Sequence, residues 1–170
     1  MRALLMSEPA VVDSLEFART GQQLAGTVAV SELRRVADSL FDDQGTLEYA
    51  IKGRTDSRGR PRLRVEVRGE VHLRCQRCLG SLPYRVATAS DLLVLTGGGP
   101  ETDALEDLDG VAADPHTSVR ELVEDEVLLA LPMAPRHPEG QCGAAVSAGS
   151  AQSRSPFGVL AQLKHDRKEQ

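Results

Sequence analysis

The sequence predicts an α+β fold: an antiparallel β meander packed by two or three short helices, with a flexible acidic loop and a C-terminal tether. Three observations predict it. First, Pro61 to Leu79, PRLRVEVRGEVHLRCQRCL, alternates cleanly. Leu63, Val65, Val67, Val71, Leu73 and Cys75 share one parity, and Arg62, Arg64, Glu66, Arg68, Glu70, His72 and Arg74 share the other. This is the period of a strand with one dry face and one wet, basic face. Second, TLEYAIK at 46–52 sets Leu47, Tyr49 and Ile51 against Glu48, Ala50 and Lys52 in the same way. Third, RELVEDEVLLALP, which follows Val119, has a helical period instead.

Length and composition bound what these elements can build. A chain of 170 residues supports one well-buried core. The expected organisation is a single α+β domain over 1–132 with an acidic loop at 96–117, a flexible tether at 133–155, and a C-terminal helix and tail at 156–170. With 41% hydrophobic residues but no Trp, three Phe and two Tyr, the core must be mostly Leu, Val and Ala. Aromatic platforms for stacking single-stranded bases are correspondingly scarce.

The net charge of −5 argues against a generic polyanion binder, but the average conceals a polarity. Residues 54–77 hold eight Arg against Asp56, Glu66 and Glu70, whereas residues 101–126 hold ten acids against Arg120. Such segregation suits internal pairing or a partner read by one segment. The N-terminal stretch, interrupted by Glu8, Asp13 and Glu16, has no apolar run of signal-peptide length, and no segment is long enough to span a membrane. Three cysteines, two of them as C-x-x-C, are not a secreted disulfide framework, so the expectation is a reducing cytoplasm.

In chain order, Phe17 to Val30 is weakly apolar. Ser31 then reads as the N-cap of an amphipathic helix, SELRRVADSL, with Leu33, Val36, Ala37 and Leu40 on its dry face. TDSRGR makes the turn between the two alternating strands. Unbroken, Arg62 to Cys75 would run roughly 45 Å at about 3.3 Å per residue, so Gly69 is expected to mark a bulge or bend. Leu82, Tyr84 and Val86 resume the alternation, and Leu92 to Leu95 close another strand.

TGGGPETDALEDLDGVAADPHT reads as the mobile acidic loop. From Ser118, Val119, Leu122, Val123, Val127, Ala130 and Leu131 form one helical stripe with Glu121, Glu124 and Asp125 opposite, and Pro132 ends the helix. The Pro-rich and Ala/Gly/Ser-rich stretch that follows is the tether. Ser155 and Pro156 then suit the N-cap and first residue of FGVLAQLK, where Phe157, Leu160 and Leu163 share a face that must dock on something, since so short a helix does not stand alone in water.

Four residues have the types and spacing of a shared metal site, with zinc the expected ion: Cys75 and Cys78, and His137 and Cys142. On a straight strand Cys75 and Cys78 would point to opposite faces, so both can reach one ion only if the strand ends there, as Gly80 and Pro83 allow. The alternative is that Cys75 merely extends the apolar face and Cys142 lies idle in the tether. A thioredoxin-like role is weaker, because C-x-x-C does not open a helix in a βαβ unit. No phosphate loop, G-x-S-x-G or His-rich metal helix is present, so the chain does not read as an enzyme. Arg62, Arg64, Arg68, Arg74 and Arg77 are the expected surface for RNA or an acidic partner.

LRCQRCL at 73–79, VEDEVLLALPMAP at 123–135, His137, Cys142 and PFGVLAQLK at 156–164 occur in this order, and together they resemble the YceD-type large ribosomal RNA subunit accumulation protein family. The resemblance implies a non-enzymatic bacterial cytosolic ribosome-biogenesis factor. It would support synthesis, processing or stability of large-subunit (23S-type) ribosomal RNA, contacting that RNA or its precursor directly or through a ribosomal or processing protein. The alternative is a zinc-bearing nucleic-acid-binding module of broader role. Gly158 departs from the family, which usually has Ala there; Gly weakens a helix by about 1 kcal/mol.

Overall fold

In the computed structural model, residues 11–97 and 109–142 are described. A short strand β1 (Val11–Val12) leads into helix α1 (Ser14–Thr20). Asp13 caps α1 by accepting the Glu16 N–H at 2.8 Å, and Gly21 ends it in the left-handed conformation at φ 66°. Strands β2 (Gln23–Ala29), β3 (Thr46–Thr55), β4 (Pro61–Arg74) and β5 (Ser81–Leu95) then form an antiparallel meander. A fifth strand, β6 (Gly110–Ala112), joins β5 in parallel, so the sheet is mixed, with order β2-β3-β4-β5-β6. Strand β7 (Thr117–Ser118) pairs with β1 and runs into helix α2 (Val119–Ala130). The result is an α+β fold with two α-helices among the described residues.

Alternation places the core. Leu63, Val65, Val67, Val71 and Leu73 of β4 are all buried, with Leu47 and Ile51 of β3 and Val86 of β5 beside them. Helices α1 and α2 cover this face, contributing Phe17, Ala18, Val119, Leu122, Val123 and Val127. At Gly53 a side chain would overlap the Phe17 carbonyl, so α1 can lie directly on β3 only because that residue is glycine. The opposite face of the sheet is open among the described residues: Ala25, Ala50, Ala87 and Ala89 are exposed along its middle.

Several elements differ from the sequence expectation. SELRRVADSL is not an α-helix but two 3₁₀ turns, Val30–Glu32 and Ala37–Ser39. Leu33, Val36 and Leu40 are still buried, while Ala37 is exposed. The competing interaction is with the sheet. Pairing of β3 with β4 stops at Leu47↔Gly69, and the strand edge beyond would be bare. Leu40 bridges Leu73 there, and the Phe41 N–H donates to the His72 carbonyl at 2.7 Å. Gly69 makes no bulge, because its register with β5 is uninterrupted. It is glycine, at φ 155°, because a side chain would run into Leu47 on the neighbouring strand.

The two strands expected after the cysteines are one, β5, paired with β4 from Arg62↔Leu93 to Arg74↔Ser81. Within it Thr88 and Ser90 interrupt the apolar alternation, and both point at Glu126 of α2. That carboxylate is only 2% exposed and accepts from Ser90 Oγ at 2.7 Å; burial pushes its pKa up against the lowering effect of the two hydroxyls. Glu124, expected on the wet face of α2, is also buried and accepts the Arg35 N–H at 3.3 Å. The 3₁₀ segment covers the flank of α2 that a simple stripe would leave in water. Ser118 caps the helix, its Oγ accepting the Glu121 N–H at 3.3 Å.

Of the stretch read as an acidic loop, 98–108 lie outside the described residues, and Gly110–Ala112 and Thr117–Ser118 form strands. Of the stretch read as a tether, 133–142 is tied to the end of the β4–β5 hairpin. Residues 143–170, which include Phe157, Leu160 and Leu163, lie outside the described residues. Among the described residues no helix is long and apolar enough to cross a membrane.

Candidate metal centre and basic sheet face

Strand β4 ends at Arg74 and β5 begins at Ser81, and the six residues between fold into a tight knuckle. The Cys75 N–H donates to the Gly80 carbonyl at 3.0 Å, and the Leu79 N–H donates to the Cys75 carbonyl at 2.9 Å. Leu79 takes the left-handed conformation at φ 60°, unusual for a branched residue, and its side chain is 64% exposed. This reversal is the condition that the C-x-x-C motif required. Cys75 is fully buried, and Cys78 is turned back toward it.

The second pair of ligand types comes from the segment after α2. Once Pro132 has ended the helix, the Gln76 N–H donates to the Pro135 carbonyl at 2.8 Å and draws the segment over the knuckle. His137 and Cys142 complete a cluster in which the donor atoms of Cys75, Cys78, His137 and Cys142 all lie within 4.8 Å of one another. Cys75 Sγ and Cys142 Sγ are 3.9 Å apart, Cys78 Sγ and His137 Nδ1 3.4 Å, and Cys142 Sγ and His137 Nδ1 3.8 Å. A tetrahedral zinc ion with thiolates at about 2.3 Å needs ligand-to-ligand edges of about 3.7 Å. The donor set therefore fits one such ion. All three cysteines are free thiols.

The surroundings favour the ligating forms. His137 donates from Nε2 to the Ser81 carbonyl at 2.9 Å, which directs the Nδ1 lone pair at the sulfurs. Burial alone would push the Cys75 thiol up, but the backbone N–H groups of Cys78, His137 and Arg77 bring it down to about 5. At Cys78 the Gly80 N–H pulls downward, and burial with the neighbouring Cys75 and Cys142 sulfurs outweighs it, so this thiol is raised. Sulfurs of Cys75 and Cys142 in turn raise His137. Ligation needs the thiolate and the neutral imidazole, so a bound cation would release the protons of its ligands.

Arg77, grouped from sequence with the basic strand face, is instead in this knuckle. Its Nε donates to Cys142 Sγ at 2.9 Å, and one terminal nitrogen donates to the carbonyls of His137 and Pro138, at 3.3 Å each. The Cys142 sulfur raises its pKa. Sequence parity could not locate Arg77, because the strand has already turned.

The other four arginines do lie on the open sheet face or at its border. Arg62 bonds Asp56 at 3.2 Å, Arg64 bonds Glu66 at 3.1 Å, and Arg68 bonds the same Glu66 at 3.3 Å; among the described residues Arg74 enters no ion pair. Arg54 pairs with Asp91 on β5. Asp56 in the β3–β4 turn is held far below the ordinary carboxylate range, first by the Arg60 N–H. Neighbouring-strand register adds Lys52 and Arg54 from β3 and Arg85 from β5 to the same face. His72, on this face too, is taken by Asp42 at 3.0 Å, and that bond lowers the Asp42 pKa. In total this face of β3, β4 and β5 carries seven basic and four acidic side chains, a positive surface on an acidic chain.

A sequence profile described as "Large ribosomal RNA subunit accumulation protein YceD" matches residues 63–164, more than half the chain. The chain belongs to the YceD family. A Haemophilus influenzae relative bearing the same description is 28% identical over 174 residues, covering 92% of this chain and 95% of the relative. No solved structure matches. The YceD-family match runs from β4 through the knuckle and α2 to the segment carrying His137 and Cys142, so all four candidate ligands lie inside it.

Proposed function

We propose that this YceD-family chain is a non-enzymatic cytoplasmic factor that supports the synthesis, processing or stability of large-subunit ribosomal RNA in a bacterium. The family match is the observation that carries the reading. RNA, or its precursor, is contacted through the open face of the sheet, where Arg62, Arg64, Arg68 and Arg74 stand among small residues. Surface pairs such as Arg64–Glu66 are weak enough to be exchanged for phosphate at little cost. The knuckle holds one structural zinc ion through Cys75, Cys78, Cys142 and His137 Nδ1. Four protein donors leave a tetrahedral ion no open position for substrate, which supports a structural rather than a catalytic role.

Sucrose-gradient profiles of a deletion strain test the reading. A deficit of large subunits and of mature large-subunit RNA, restored by the wild-type chain, is expected; normal levels of both contradict it. The Cys₃His donor set favours a second reading, a zinc-bearing nucleic-acid-binding module of broader role. Cross-linking in cells and sequencing of bound RNA separates the two. Reads concentrated on large-subunit ribosomal RNA support the first, and reads spread over many transcripts the second.

A further inference from the structure

Resting on the zinc reading above, we infer that Arg77 is a positioning residue of the metal centre: its guanidinium is the outer-shell cation that neutralises the site and clamps the segment 137–142 onto the hairpin knuckle. Three thiolates and a neutral imidazole around a divalent ion leave one net negative charge. Cys75 is fully buried, so water does little to screen that charge on its side of the cluster. Arg77 is the cation placed against it, 2.9 Å from Cys142 Sγ.

The geometry is more specific than a charge nearby. One guanidinium bonds a ligand sulfur and, through a second nitrogen, the carbonyls of His137 and Pro138. It therefore grips the backbone of one ligand and the donor atom of another, five residues apart. On its own side, Cys75 is held by hydrogen bonds with Gly80 and Leu79, and Cys78 lies within the turn they close. His137 and Cys142 arrive on a segment that buries little apolar surface, in which Met133, Ala134, Arg136, Pro138 and Glu139 are exposed. The Ser81 carbonyl, the Gln76 N–H and Arg77 supply the protein contacts that place this segment. Of these Arg77 alone reaches the Cys142 end. Lysine would keep the charge but, as a point donor, could not serve the sulfur and both carbonyls in this planar arrangement.

The test uses the full chain, competing for zinc with a chromophoric chelator at fixed pH. Arg77→Ala is expected to weaken zinc binding about 10- to 100-fold, the usual cost of losing an outer-shell partner, with Arg77→Lys in between and Arg19→Ala, at the exposed end of α1, unchanged. A double-mutant cycle adds a readout that a merely structural role would not give. Against a Cys142→Ala background, Arg77→Ala should cost much less than it does in the wild type, because the sulfur it serves is gone. Cobalt(II) absorption reports tetrahedral thiolate ligation in each variant, so a variant that fails to assemble the site is seen directly. If wild type holds zinc and Arg77→Ala holds it equally well, the inference is overturned while the zinc reading stands. Should wild type itself lose zinc to the chelator without measurable competition, both fall together.

Discussion

The body of the sheet and the knuckle at its end are parts of one continuous hairpin, yet they are held together by different physics. In the body, β4 lies between β3 and β5 and buries Leu63, Val65 and Val67 completely. Burial of that kind contributes about 25 cal/mol per Å² of apolar surface and is indifferent to metal. In the knuckle the apolar face ends at Cys75, Leu79 points into water in a conformation that branched residues avoid, and the covering segment 133–142 has little to bury. What assembles there are four soft donors, an arginine and a few backbone hydrogen bonds. A body built on side-chain burial would tolerate loss of an ion; a knuckle that relied on ligands would not.

Removing a ligand breaks the comparison at its sharpest point. Cys75→Ser in the full chain is expected to abolish stoichiometric zinc, measured by elemental analysis of purified protein. Amide hydrogen exchange should then accelerate at 75–81 and 133–142 and remain slow across β3 and the first half of β4. Loss of protection throughout the sheet would show that the two regions are a single cooperative unit.

The complementary change is in the body. Leu63 is fully buried between neighbouring strands, so Leu63→Ala should destabilise the fold by about 2–5 kcal/mol, read from urea denaturation. The loss should be the same with and without a zinc chelator. If it grows when the ion is removed, the body leans on the knuckle after all.

A third contrast separates the open face from the knuckle. Arg64→Glu with Arg68→Glu and Arg74→Glu should reduce co-purified RNA several-fold, make the RNA that remains bound less sensitive to salt, and leave zinc content unchanged. Unchanged RNA would remove the sheet face as the contact surface.

Much of this contrast is legible in the sequence, and the reasons for the rest are physical. Alternation reports burial residue by residue, so β3 and β4 could be located from Leu47, Ile51 and Val65, and the end of α2 from Pro132. The cluster of donor types was legible because C-x-x-C can converge only where the strand turns, and Gly80 announces that turn. Arg77 was not, since its parity belongs to a strand that has already ended. Helix α1 is marked by Asp13, Glu16 and Gly21, a cap at each end, but its seven residues offer too short an apolar stripe to outweigh the neighbouring pattern. The 3₁₀ segment has helical spacing at Leu33, Val36 and Leu40; only the bare edge of β4, which exists in three dimensions alone, decides against the helix. Thr88 and Ser90 look like a break in β5 until their buried partner is known.

That partner provides the smallest and most discriminating test. Glu126 is 2% exposed and bonded to hydroxyls rather than to a cation, and burial raises its pKa above the ordinary 4.5. Between the unfolded value and the raised folded value the native state binds the extra proton, so stability falls as pH rises through that window. Above it the native state carries the full cost of a buried charge. Glu126→Gln keeps the shape and an acceptor for Ser90 but cannot ionise. It should therefore raise stability near neutral pH and lose that advantage at acid pH below the unfolded pKa, as followed by urea denaturation across the range. Because α2 packs on β4 and β5 in the body of the sheet, zinc affinity should not change. A variant that altered zinc binding as well would mean that α2 transmits strain from the core to the knuckle through Tyr84, whose hydroxyl donates to the Ala130 carbonyl at 2.8 Å near the helix end.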